Sequence, residues 1–521
     1  MLKINDTFNK ELPADPLTEN TARQVHEACF SYVHPKKTTD PKLLSVVKEV
    51  AGLIGLSEKE LESDRFLEVF TGNTLLEGSQ PYAMCYGGHQ FGHWAGQLGD
   101  GRAINLFEVH HKGKQWALQL KGAGPTPFSR RADGLAVLRS SIREYLCSEA
   151  MFHLGVPSTR ALSLALTGDQ VLRDMLYDGN SAYEKGAIVC RVSPSFIRFG
   201  NFEIFASRKD EKTLKLLTDY TIRHFYAHLG APSPETYIAF FKEVAERTLK
   251  MVLHWQRVGF VHGVMNTDNI SILGLTIDYG PYGWLEGYEP GWTPNTTDRH
   301  EKRYQFGNQP NVCLWNLLKL GNALFPLIQK AKPLEDILYQ FKADYQKEYL
   351  EMMRSKLGLS RASLAEDSKI IQDLEEVLQL TETDMTLFFR KLGDIDLGKS
   401  PAQYLEMIHK AFYKPEEIAG TIKESWLNWL NRYRERLLKE SENQKTRKVK
   451  MNQVNPKYVL RNYMAQMAID AAENGDYTLI DELLNLLRHP YDEQSENEQW
   501  FAKRPEWARH KVGCSMLSCS S

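Results

Sequence analysis

Up to about residue 200 the apolar positions fall in short runs broken by glycine and proline; beyond it they recur every three or four residues over long stretches. The runs GRAINLFEV from Gly101 and KQWALQLKG from Lys114 read as strands, and the turn residues His110 to Gly113 between them predict a hairpin. After Lys121 a loop, GAGPTPFSRRADG, leads into LAVLRSSIREYLCSEAMFHLG, where Leu135, Leu138, Ile142, Leu146 and Ala150 share one helical face. Gly155 and Pro157 end that helix. Further on, amphipathic helices are predicted near 236–258, 311–331, 335–357, 402–412, 416–439, 457–473 and 477–488. A β-containing part followed by a helical part predicts an α+β fold of two unequal lobes, 1–200 and 201–500, with a tail at 501–521.

Composition narrows the class. The 521 residues are 42% hydrophobic and 25% charged, as in globular chains with room for a large core. With 64 basic against 66 acidic residues the net charge is −2, so no global field draws the chain to nucleic acid or to an anionic membrane. No apolar run approaches the roughly 18 residues of a membrane span, and the start, MLKINDTFNKELPADP, lacks both an apolar targeting core and an Arg-rich, acid-poor composition. A cytoplasmic location is expected. The basic run KTRKVK, Lys445 to Lys450, lacks interleaved aromatics and reads as a solvated linker. Seven scattered cysteines without C-x-x-C pairs predict neither a disulfide framework nor a zinc cluster. Cys514 and Cys519, in a Ser-rich end, are expected to be exposed and redox-active.

The chemistry lies in four segments. YGGHQFGHWAGQLGDGR ends in Gly99, Gly101 and Arg102 before a strand, where glycines let backbone N–H groups close over phosphates. His89 and His93 have metal-pair spacing, but the flanking glycines disfavour a helix and a structural role is expected for both. Lys121 ends the strand pattern ALQLK as a phosphate-directed lysine would, and Glu144 on the next helix occupies a stripe otherwise without charge. A carboxylate there needs a partner, and Lys121 is the expected one. His262-Gly-Val-Met-Asn-Thr-Asp-Asn269, followed by Asp278-Tyr-Gly280, has the order of the kinase catalytic loop and metal-binding triplet, which predicts a protein-kinase-like fold. Asn269 and Asp278 then supply hard oxygen ligands for Mg²⁺ or Mn²⁺. Val264, however, stands where a kinase has its catalytic Asp, and it can neither accept a proton nor orient a hydroxyl. Asp268 is the nearest replacement carboxylate, and Arg191 and Arg198 are candidates for clamping phosphates.

Taken together, GGHQFGHWAGQLGDGR, LQLKGAGPTPFSRRADG, AVLRSSIREYL, RVSPSFIRFGNFE, HGVMNTDNISILGLTIDYGP and NPKYVLRNYMAQMAI, spanning roughly 80–490, resemble the selenoprotein O family of pseudokinases that transfer AMP to proteins. The resemblance implies an ATP bound in reverse, with its α-phosphate toward a Ser, Thr or Tyr hydroxyl of a protein substrate, and UTP as an alternative donor. It implies Lys121, Glu144, Arg191 and Arg198 around the phosphates, Gly99, Gly101, Arg102, Asp133 and Gly134 along the nucleotide, Asn269 and Asp278 on the metal, and Asp268 as general base. It also implies a redox element at Cys519, third from the end, with a thiol partner. Where family members tether this tail through a C-N-x-S-D segment, this chain has Pro294-Asn-Thr-Thr-Asp298, so no tether to that region is expected and Cys514 becomes the alternative partner. Three other readings are a divergent kinase using Asp268, a catalytically inert ATP-binding scaffold, and a redox protein acting through Cys519.

Overall fold

The computed structural model describes residues 2–518 apart from Leu176 and Ser515. Its strands are β1 (Phe30–Tyr32), β2 (Lys42–Val46), β3 (Tyr82–Met84), β4 (Gly87–Gln90), β5 (His93–Gln97), β6 (Ala103–His111), β7 (Lys114–Lys121), β8 (Arg160–Asp174), β9 (Ser181–Ser193), β10 (Phe260–Val261) and β11 (Gly283–Trp284). Seven of them form an antiparallel sheet in the order β1-β3-β6-β7-β9-β8-β2, while β4-β5 and β10-β11 are separate pairs. The chain is thus a mixed α/β protein whose C-terminal region is helical.

The expected hairpin is β6-β7, with His111 opposite Lys114 and a loop of only Lys112 and Gly113. Both loop residues have positive φ, 49° and 76°, as the twist-matched two-residue hairpin turn requires. The helix Leu138–His153 packs on β8 and β9, and it is buried on nearly every side although it carries four charges. Each charge has a reason to be there. Arg139 pairs with Glu184 at 2.9 Å, Glu149 with Arg160 at 2.6 Å, and Arg143 donates to the Tyr282 carbonyl at 2.6 Å. Glu144 faces the sheet.

The long helix Pro234–Val258 starts at Ser233, whose side chain accepts from Thr236 N, and it stops at Gly259 with φ +79°. This stop delivers β10 and then His262 to the centre of the molecule. One apolar core joins the sheet to these helices and to the helices Asn462–Glu473 and Thr478–Arg488. A second, around Phe388, Trp426, Trp429 and Tyr433, is confined to the region from Met353 to Met451 and its contacts with Val261 to Phe306.

Two expectations are corrected. KTRKVK lies inside the helix Gln444–Val454 and is no linker, because Arg447 turns inward and donates to the Ile395 carbonyl at 2.6 Å. Cys514 is buried, 1% exposed, because the chain from Glu506 onward folds back onto the core. The tail also meets the 294 region, through main-chain bonds and not through a disulfide at Pro294: Leu517 N donates to Pro294 O at 3.0 Å and Thr296 N donates to Leu517 O at 2.8 Å. Main-chain pairing needs no particular side chain and so leaves no mark in the residue types. Cys519 lies outside the described residues.

Candidate active site

The segment His262 to Asn269, the end of β7, the start of the helix Phe199–Ser207 and the glycine-rich turn before β6 converge on a cleft of about 400 Å³. Its lining includes Gly99, Gly101, Arg102, Lys121, Arg191, Arg198, Asp268, Asn269 and Asp278. Residues as far apart in sequence as Tyr86 and Pro281 thus supply one constellation.

Charge organises the wall. Lys121 Nζ bonds Glu144 Oε2, so the carboxylate sits behind the lysine and not on the cleft surface. Arg191 Nη1 lies 3.0 Å from Glu144 Oε1 and 2.7 Å from Asp278 Oδ1. Arg198 Nη1 bonds Asp278 Oδ2 and donates to the Asp268 carbonyl at 3.0 Å. Burial alone would discharge Asp278, but Arg198, Arg191 and Lys121 hold its carboxyl well below the usual carboxylate range. Its backbone adopts φ +57°, a left-handed conformation that a non-glycine residue rarely takes outside functional turns. Burial lowers Lys121 to about 8, against the pull of Glu144.

Ten residues earlier the balance reverses. Asp268 is 7% exposed, its Oδ2 accepts from Gln90 Nε2 at only 3.4 Å, and its Oδ1 has no partner among the described residues. Burial therefore dominates and pushes its carboxyl up to about 7. Gly88 makes this contact possible: a Cβ there would lie 2.5 Å from Asp268 Oδ1. The hairpin β4-β5 is fastened to the same loop by His89 N to Thr267 Oγ1 at 2.7 Å. His89 and His93 sit on different strands; the His89 ring bonds Glu203 at 2.6 Å.

Asn269 commits its amide nitrogen to Val264 O at 3.0 Å, which leaves its side-chain oxygen as the atom that could coordinate a cation. With Asp278 it forms a sparse, hard-oxygen donor set of the kind that suits Mg²⁺ or Mn²⁺ when phosphates and water complete the shell. Among the described residues no cluster of three His, Cys, Asp or Glu forms an all-protein metal cage. Asp133 stands at the margin, held by Arg173 at 2.8 Å, and Gly134 packs on the Gly124 backbone. Neither lines the cleft itself.

Sequence reasoning missed Asp100. It is 1% exposed, its Oδ2 accepts from Met84 N at 3.0 Å and Asn105 Nδ2 at 3.2 Å, and Oδ1 lies 3.6 Å from Arg198 Nη2. Its place between Gly99 and Gly101 was the available signal: a carboxylate in a phosphate-cradling turn needs a cation nearby.

A family model described as protein adenylyltransferase SelO matches residues 17–488. Relatives named protein nucleotidyltransferase YdiU are 60% identical in Flavobacterium johnsoniae, 55% in Rhodopirellula baltica and 54% in Aromatoleum aromaticum. Each alignment covers 100% of this chain and 99% of the relative.

Proposed function

The chain belongs to the SelO protein adenylyltransferase family, and from that premise we propose that it is a nucleotidyltransferase that moves AMP from ATP to Ser, Thr or Tyr hydroxyls of proteins. The two regions of the chain are on this reading the lobes of a kinase-like fold, with the cleft between them. The observation that carries the proposal is Asp268, a cleft carboxylate with an unpartnered oxygen and a carboxyl near 7, beside a loop whose kinase base position is Val264.

In the proposed step the acceptor oxygen bonds to the α-phosphorus, its proton passes to Asp268 Oδ1, and the bond from the α-phosphorus to its bridging oxygen breaks to release pyrophosphate. A carboxyl near neutrality is matched to that proton transfer. Lys121, Arg191 and Arg198 face the phosphates and neutralise the charge that grows on the leaving group. Since both oxygens of Asp278 are held by arginines, nucleotide binding draws those guanidiniums onto phosphate and frees the carboxylate. Asn269 and Asp278 would hold Mg²⁺ or Mn²⁺, which supplies Lewis-acid stabilisation of the phosphates. UTP is the alternative donor.

Incubation of a generic protein acceptor with α-labelled and γ-labelled ATP tests the reading. Protein-bound label from the α position only is expected. Label from the γ position only would make the chain a kinase.

A further inference from the structure

A second cavity lies outside the nucleotide cleft. It encloses about 540 Å³ between the segment from Trp284 to Trp292, which follows Asp278, and the C-terminal stretch carrying Arg504, Arg509 and Cys514. That volume is typical of small-molecule sites, roughly 300–1,000 Å³. Trp284, Tyr288 and Trp292 give it aromatic walls.

Its cations are already spent. Arg504 Nη1 lies 3.1 Å from Glu286 Oε2 and Nη2 lies 2.8 Å from Glu382 Oε1. Arg509 Nη1 is 2.9 Å from Glu382 Oε2 and its Nε is 3.1 Å from Glu506 Oε1. Three carboxylates, Glu286, Glu289 and Glu382, thus line the cavity against two arginines that are both engaged. Glu286 is 5% exposed, and its Oε1 has no hydrogen-bond partner among the described residues. A buried acceptor left without a donor forfeits its hydration with nothing in return, more so when charged. An occupant that brings an N–H group removes that cost, and the aromatic faces favour the same sign of charge through their quadrupoles.

We propose that this cavity binds a small organic cation, a primary amine or guanidine whose N–H groups donate to Glu286 Oε1 while its body rests on the Trp292 and Tyr288 rings. Burial pushes the Glu286 carboxyl up to about 7, against Arg461 and Arg504, so an arriving cation also restores its charge. Such an occupant touches both the segment that follows the metal-ligand candidate and the C-terminal stretch. The proposal is independent of the transferase reading.

Agmatine is the probe, measured by calorimetry on the full chain at mildly alkaline pH, with butanol as the neutral control. Agmatine is expected to bind with one-to-one stoichiometry and butanol not at all. Glu286→Gln should weaken agmatine at least about tenfold. Trp292→Ala, which leaves the carboxylate in place, should weaken it as well and serves if the first variant misfolds. A capped Gly-Arg-Gly peptide distinguishes a free amine from a protein side chain as the source: binding as tight as agmatine assigns the site to arginine side chains of a partner. No agmatine binding at millimolar concentration, or equal binding to wild type and both variants, would overturn the proposal.

Discussion

Arg461 and Arg198 are both buried guanidiniums on aspartates, and they do opposite things. Arg461 meets Asp384 in a two-point pair at 2.7 and 2.9 Å, and Asp384 also caps the helix Met385–Leu392 through Leu387 N and accepts from Tyr413 OH at 3.1 Å. Both Asp384 oxygens are taken by partners inside the protein. Around Arg198, by contrast, Arg198 Nε, Arg191 Nε, Asp100 Oδ1 and Asp268 Oδ1 are all without hydrogen-bond partners among the described residues. Buried charge by itself therefore does not mark function here. What separates the two regions is unspent hydrogen-bonding capacity: the closed pair fixes the fold, and the open network keeps capacity for a ligand.

The largest effect expected from this contrast is a division between activity and stability. Asp278→Ala should remove transfer by on the order of 10⁴-fold in a folded protein, because it deletes a ligand and an anchor of the open network. Asp384→Asn should instead cost about 3–5 kcal/mol of stability by uncovering Arg461, with activity per folded molecule nearly unchanged. Labelling rates and denaturant unfolding of both variants check this; a stability loss in Asp278→Ala as large as that in Asp384→Asn would erase the distinction. Next, Asp268→Asn should lower transfer about 10³-fold while leaving ATP affinity within a few-fold, since Asp268 acts on the acceptor and not on the nucleotide. An unchanged rate would return Asp268 to the structural class.

The smallest effect concerns His254, a member of the closed class. Its Nδ1 accepts from Arg257 Nε at 3.1 Å, and burial together with the Arg257 charge lowers it to about 4. The unfolded chain has the ordinary value of about 6.5, so it takes up the proton first as pH falls. This stability is present above about 6.5 and is lost progressively toward 4. Between pH 7.5 and 5.5 the loss is about 1 kcal/mol, and His254→Gln should abolish that increment in pH-dependent unfolding without altering transfer at neutral pH.

The sequence by itself determined what is local. The apolar runs on either side of the His110 to Gly113 turn set the β6-β7 hairpin, period 3.6 set the helix Leu138–His153, and the order His262, Asn269, Asp278 announced the cleft. Each rests on neighbours within one or two turns of chain, where backbone geometry forces the spacing. The Lys121–Glu144 pair was legible for the same reason, since a lone carboxylate on an uncharged stripe points to its nearest cation. Only tertiary structure decided the rest. Nothing near Asp100 shows that Arg198 will reach it, nothing near Cys514 shows that it will be buried, and Pro294 hides a tail contact that main-chain atoms make. The cavity at Glu286 is assembled from residues 284 through 514, and Asp384 meets Arg461 across 77 positions. Such pairings are selected by how whole elements pack, and packing leaves no periodic trace in the residues that happen to meet.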